Sequence, residues 1–220
     1  MSKEKIIGAL QGKSSMKQHI YQLTLEGFNL LKSEIKTLSS ELASEMSEID
    51  KTVEISVKEN GSFEIEFKFS GDTLLFMMHT NVFNLPEEHY LKNTPYVQKD
   101  RNNSYFGMIM IYNFLSDSLK YNRVSDTGQL IGRLYINREN NFFVSGQRQL
   151  SFLYKDLHEQ TLNPAALRHI IETAVLQAID FDLIIPPYES VKAMNIMQKM
   201  QYTGNAAIKT AKPMGFSMNG

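Results

Sequence analysis

The side chains that could do chemistry in this sequence are five histidines, two alternating aspartates and a run of arginines. His19, His79, His89, His158 and His169 stand in no HExxH or HxH spacing. His169 and Glu172 are three apart, which on a helix puts them on one face and within reach of one ion. That gives two ligands where a metal site needs three or four. Glu87, Glu88 and His89, with His79 nearby in sequence, could supply three. Ordinary surface pairing is the simpler reading of both groups, so no metal and no cofactor is assigned. Asp180 and Asp182 alternate near a helix end. Catalytic carboxylates need a cleft and a shifted pKa, and a sequence displays neither. There is no cysteine, no G-x-S-x-G elbow, no P-loop and no G-x-G-x-x-G. The expectation leans away from an enzyme, with a hydrolase of unrecognised site as the dissenting possibility.

The arginines carry the best remaining signal. Residues 1–98 hold ten basic and fourteen acidic side chains. Residues 99–148 hold seven basic and four acidic, and the remainder holds six of each. Arg101, Arg123, Arg133, Arg138 and Arg148 all fall in the middle segment, interleaved with Tyr105, Tyr112, Tyr121 and Tyr135. The planar guanidinium suits carboxylates and phosphates. A sheet bearing Arg123, Arg133, Arg138, Arg148 and Tyr135 could therefore bind a small anion or nucleotide. Solvated strand and turn charges are the plainer account. A nucleic acid is disfavoured, because the net charge is −1 and the strong basic footprint of such proteins is missing.

A second function class rests on apolar side chains. Leu31, Ile35, Leu38, Leu42, Met46 and Ile49 recur at three- and four-residue steps, as an amphipathic helix requires. The stripe could cover this chain's own sheet or form a coiled-coil seam. The expectation is mixed: the first part packs on the sheet, and the end near Met46 and Ile49 meets a partner. Val191, Met194, Met197 and Met200 would lie on one side of a last helix over 188–202. Methionine is common both in cores and on permissive binding surfaces. The preferred reading is a non-enzymatic binding or assembly protein, self-associating or docking to a protein partner in a larger complex.

Composition sets the setting. At 220 residues with no cysteine, the chain needs no disulfide staples. No apolar run approaches the ~20 residues of a membrane span. The short apolar stretch after Lys5 is too brief for a signal peptide. The expected location is the cytoplasm, with no membrane contact.

The elements that must position these residues read as an α+β fold. It is an antiparallel sheet of about six or seven strands packed against a long N-terminal helix and a C-terminal helix. Residues 1–13 suggest a short helix ended by Gly12. Ser15 and Gln18 form a capping box for a helix over 16–50 that Gly27 could interrupt. A meander follows. Val53, Ile55 and Val57 alternate with charges, Asn60-Gly61 marks a hairpin, Phe63–Phe69 alternates again, and 73–80 forms a third strand. Residues 85–104 form a polar connection. Residues 106–121 fit either a buried strand or a helix. Residues 129–155 read as three strands. In the first, Leu130, Leu134 and Ile136 share one face, and Ile131, Arg133 and Tyr135 share the other. Asn163-Pro164 starts a helix, with Asn as cap and Pro at its first position. One domain over 1–203 and a mobile tail over 204–220 complete the expectation.

Overall fold

A computed structural model describes residues 2–124, 126–157, 160–185, 187–197 and 199. The expected tail and Met200 lie outside these residues, as does the side chain of Val191.

The chain is an α+β protein. Its sheet has six strands among the described residues, in sequence order and antiparallel throughout: β1 (Ile55–Glu59), β2 (Glu64–Phe69), β3 (Asp72–Asn84), β4 (Tyr105–Leu115), β5 (Gln129–Asn137) and β6 (Phe142–Gly146). Asn60-Gly61 makes the first turn, with Gly61 at φ 82°, a conformation glycine adopts without steric cost.

Two helices cover one face. The N-terminal segment is helical from Ser2, as α1 (Ser2–Ala9), a π-helical turn (Leu10–Ser14) and α2 (Ser15–Ile49). The break expected at Gly12 and the cap expected at Ser15 are both absent. The helix runs straight through, so Ser15 has helical dihedrals and its hydroxyl donates back to the Leu10 carbonyl at 3.1 Å. Gly27 does not interrupt α2 either. A Cβ there would lie 2.8 Å from Leu162 Cδ2, so the missing side chain makes room for packing.

The apolar stripe is spent within the chain as far as Leu42. Leu31, Ile35 and Leu38 are buried against the sheet, beneath which lie Ile65, Phe67, Leu74, Phe76, Ile109 and Ile111. Each such side chain contributes about 1.5–3 kcal/mol on leaving water. The helix α5 (Pro164–Ile179) lies beside α2 and adds Leu167, Ile170, Ile171, Ala174 and Val175 to this core. Asn163 caps it as expected, its Oδ1 accepting from the Ala166 N–H at 2.9 Å. Arg168 ties the two helices, pairing with Glu41 on α2 and with Glu172 at 2.6 Å.

Further expectations change, and the segment left open between strand and helix resolves. The third strand expected in 129–155 is instead a 3-10 turn, Arg148–Phe152. Its Leu150 is fully buried over the paired glycines Gly132 and Gly146. Only residues without a Cβ leave that notch, and the chain bends into it rather than extending. The segment 106–121 resolves into β4 followed by a short helix, α4 (Ser116–Lys120). The connection 85–104 is ordered into a 3-10 turn (Tyr90–Asn93), α3 (Pro95–Lys99) and a second 3-10 turn (Arg101–Ser104). His89, Thr94 and Asp100 each accept a backbone N–H at its turn starts. The helix expected over 188–202 is broken: α6 covers Tyr188–Val191, residues 193–195 leave the helix, and Ile196, Met197 and Lys199 are helical again, so Met194 falls in the break.

Candidate docking face

The face of the sheet away from α2 and α5 differs from the core face in composition and cover. Residues paired across neighbouring antiparallel strands share a face. Glu64 pairs with Met77, Met77 with Met110, Met110 with Arg133, and Arg133 with Ser145. One step along, Glu66, Leu75, Tyr112 and Leu130 form a second row. Met77, Met110, Tyr112, Leu130 and Arg133 are half-buried. Leu75, Met77, Met108, Met110, Tyr112 and Leu130 belong to neither apolar cluster of the fold. Along β4 the Tyr112 hydroxyl approaches Met110 Sδ at 3.6 Å.

A bulge decides who stands on this face. Ile111 pairs with Gly132 and Tyr112 with Leu130, so Ile131 is an extra residue on β5. One extra residue reverses the alternation beyond it. Ile131 therefore turns into the core with Leu134 and Ile136, 5% exposed, and Leu130 joins the face of Arg133 and Tyr135. The alternation expected through this strand is corrected at both positions.

The connection 85–104 bounds the face at the Tyr105 end. Leu85, Leu91 and Val97 form a second apolar cluster there with Phe106, Phe143 and Leu157. Tyr135 stacks on Phe143 with centroids 4.6 Å apart, and burial raises its hydroxyl pKa. Arg133 lies over the Tyr135 ring at 5.6 Å. His89 stands at this corner, its pKa lowered by burial first and by the Arg133 cation second.

The arginines of the middle segment do not converge. Only Arg133 is on the open face. Arg138 sits at the β5–β6 turn, where Nε donates to Asn103 Oδ1 at 2.9 Å and Nη2 to Asp100 at 2.6 Å. It fastens the 85–104 connection to the sheet. A cleft of about 520 Å³ lies there, lined by Tyr96, Lys99, Asp100, Asn103, Arg138 and Glu139, with the carboxylate Asp100 already on the guanidinium. Arg148, with φ 46°, lies over the Phe181 ring at the other end of the sheet. Arg123 lies over Tyr121 and 4.0 Å from Asp126. Tyr105 sits under Lys13 and Lys17, away from these arginines.

The other candidates are dispersed too. His169 meets the Tyr154 hydroxyl at 3.2 Å, and Glu172 is held by Arg168. Glu87 pairs with Lys92, and His79 accepts from the Asn81 N–H at 3.0 Å. Among the described residues no three metal-ligating side chains come together. Met46 is half-buried, while Ile49, Met194 and Met197 are exposed. No described helix is long and apolar enough to cross a membrane. The open face itself escaped the sequence reading, although Met108, Met110 and Tyr112 alternate as soon as 105–115 is read as a strand. Comparison of the chain with known protein families, with curated proteins and with solved structures gave no match.

Proposed function

We propose that this chain is a non-enzymatic binding or assembly protein, and that the open sheet face is the surface with which it docks to protein. The observation that supports this reading is the apolar, methionine-bearing row across β3 and β4, which joins neither apolar cluster of the fold. Contiguous apolar patches mark interaction sites, and methionine lets such a surface adapt to what it meets. The scattered arginines support it from the other side, since each of Arg123, Arg138 and Arg148 is engaged at a different place.

The test is the size of the protein in native extract. Met110→Lys sits on the open face and should leave the fold intact, as far-ultraviolet dichroism reads. It should shift the protein from a larger species to the monomer, because a lysine cannot be desolvated in an apolar contact without a partner. Equal sizes for parent and Met110→Lys would count against the docking role.

A further inference from the structure

One row of the open face carries a pair of charges that complements itself. Adjacent strands lie about 4.8 Å apart, so along the row Glu64, Met77, Met110, Arg133 the two charges are separated by about 14 Å. The line between β3 and β4 runs halfway between them. Glu64 accepts from Asn60 Nδ2 at 2.8 Å, and Arg133 rests on the Tyr135 ring. Among the described residues neither forms an ion pair. The acid and the base thus stand at equal offsets from one line, with two methionines between them.

We propose that this face pairs with the same face of a second copy, about a two-fold axis parallel to the strands between β3 and β4. This inference rests on the docking role above and names its partner. The axis exchanges β2 with β5 and β3 with β4. Each Glu64 then faces the partner's Arg133, and each Met77 faces the partner's Met110. In the second row each Leu75 faces the partner's Tyr112, and each Glu66, 3.7 Å from Lys58 of its own chain, faces the partner's Leu130. Packed sheets stand about 10 Å apart, a gap that glutamate and arginine can close by reaching from both sides. An axis across the strands would instead set Glu64 on Glu64 and Arg133 on Arg133, which like charges disfavour. Opposite charges placed symmetrically about a line are what an isologous interface requires. A different protein as partner would impose no such symmetry. The ion pairs fix orientation, and the apolar rows between them supply the burial.

The full chain is examined by sedimentation equilibrium, with Glu64→Arg, Arg133→Glu and the double exchange beside it. The parent is expected to be a dimer. Each single variant should weaken dimerisation about tenfold or more, and the double variant should recover it, because the pair is restored with its signs exchanged. Far-ultraviolet dichroism reports folding in every case. Glu64→Gln and Arg133→Gln provide a smaller weakening without a reversed charge should a reversal unfold the chain. A monomeric parent overturns self-pairing, and is the outcome if a different protein or residues 200–220 occupy the face. Single variants that dimerise like the parent, or a double variant as weak as the singles, overturn it equally. Failure of the broader docking role reads differently: Met110→Lys would then leave the size in native extract unchanged.

Discussion

Thr24 on α2 fills the space that a side chain at residue 107 of β4 would need. A Cβ built on Gly107 would fall 1.8 Å from Thr24 Oγ1 and 2.7 Å from Thr24 Cβ. The Thr24 hydroxyl donates to the Ile20 carbonyl at 2.7 Å, which holds its rotamer. Gly107→Ala should therefore destabilise the protein by about 2 kcal/mol through overpacking. In a Thr24→Ala background the cost should be smaller, and urea melts of the four-member cycle measure the difference. Equal costs in both backgrounds would show that the helix shifts freely at this point.

Phe67→Asp should abolish folding. Phe67 is fully buried beneath α2, edge-on to Phe69 with centroids 5.5 Å apart. An unpaired carboxylate there costs several kcal/mol, a large share of the stability of a typical domain. Loss of the cooperative thermal transition is the expected result, and a native melt would mean that the two faces of β2 are reversed.

Asn163→Ala should cost about 1 kcal/mol, because the first turn of α5 loses the acceptor for its Ala166 N–H. Asn163→Asp should retain most of the stability, since the carboxylate accepts the same bond. Denaturant midpoints for the two variants separate capping from any packing role.

His89 should titrate below its ordinary value of 6.5. Burial and the Arg133 cation both disfavour the imidazolium, so the folded value lies under the unfolded one. The stability linked to this group is then present above the ordinary value and is lost as pH falls through the lowered one. Arg133→Gln should raise the His89 value only part of the way, because burial is the larger cause. The imidazole chemical shift followed against pH measures both values. No change on Arg133→Gln would place the arginine away from this corner.

Removal of residues 2–9 should leave stability unchanged within about 0.5 kcal/mol. None of the residues of α1 is buried, and Ile6, Ile7 and Leu10 are exposed. A drop in melting temperature for the purified protein at a fixed concentration would mean that α1 packs on the fold after all.

Local patterning determined most of the elements. The three- and four-residue spacing of Leu31, Ile35 and Leu38, the alternation through Ile65, Phe67 and Phe69, the Asn60-Gly61 turn and the Asn163-Pro164 start all act within a few residues. Each could be read from its neighbours, and so could the α+β class. Tertiary structure decided what required distant partners. The same stripe on α2 suits a sheet or a second helix, and only the position of β2, β3 and β4 shows that it is used internally. Ile131 turns inward because β5 carries one more residue than β4 between shared pairs, and a bulge has no local signature. Leu150 folds into a turn because Gly132 and Gly146 meet across two strands. The open face, with Glu64 and Arg133 on one row, exists only through the register of four strands, since pairing sets side chains from residues 64, 77, 110 and 133 beside one another. Sequence spacing carries the period of each strand but not its alignment with the next, and that alignment places the charges.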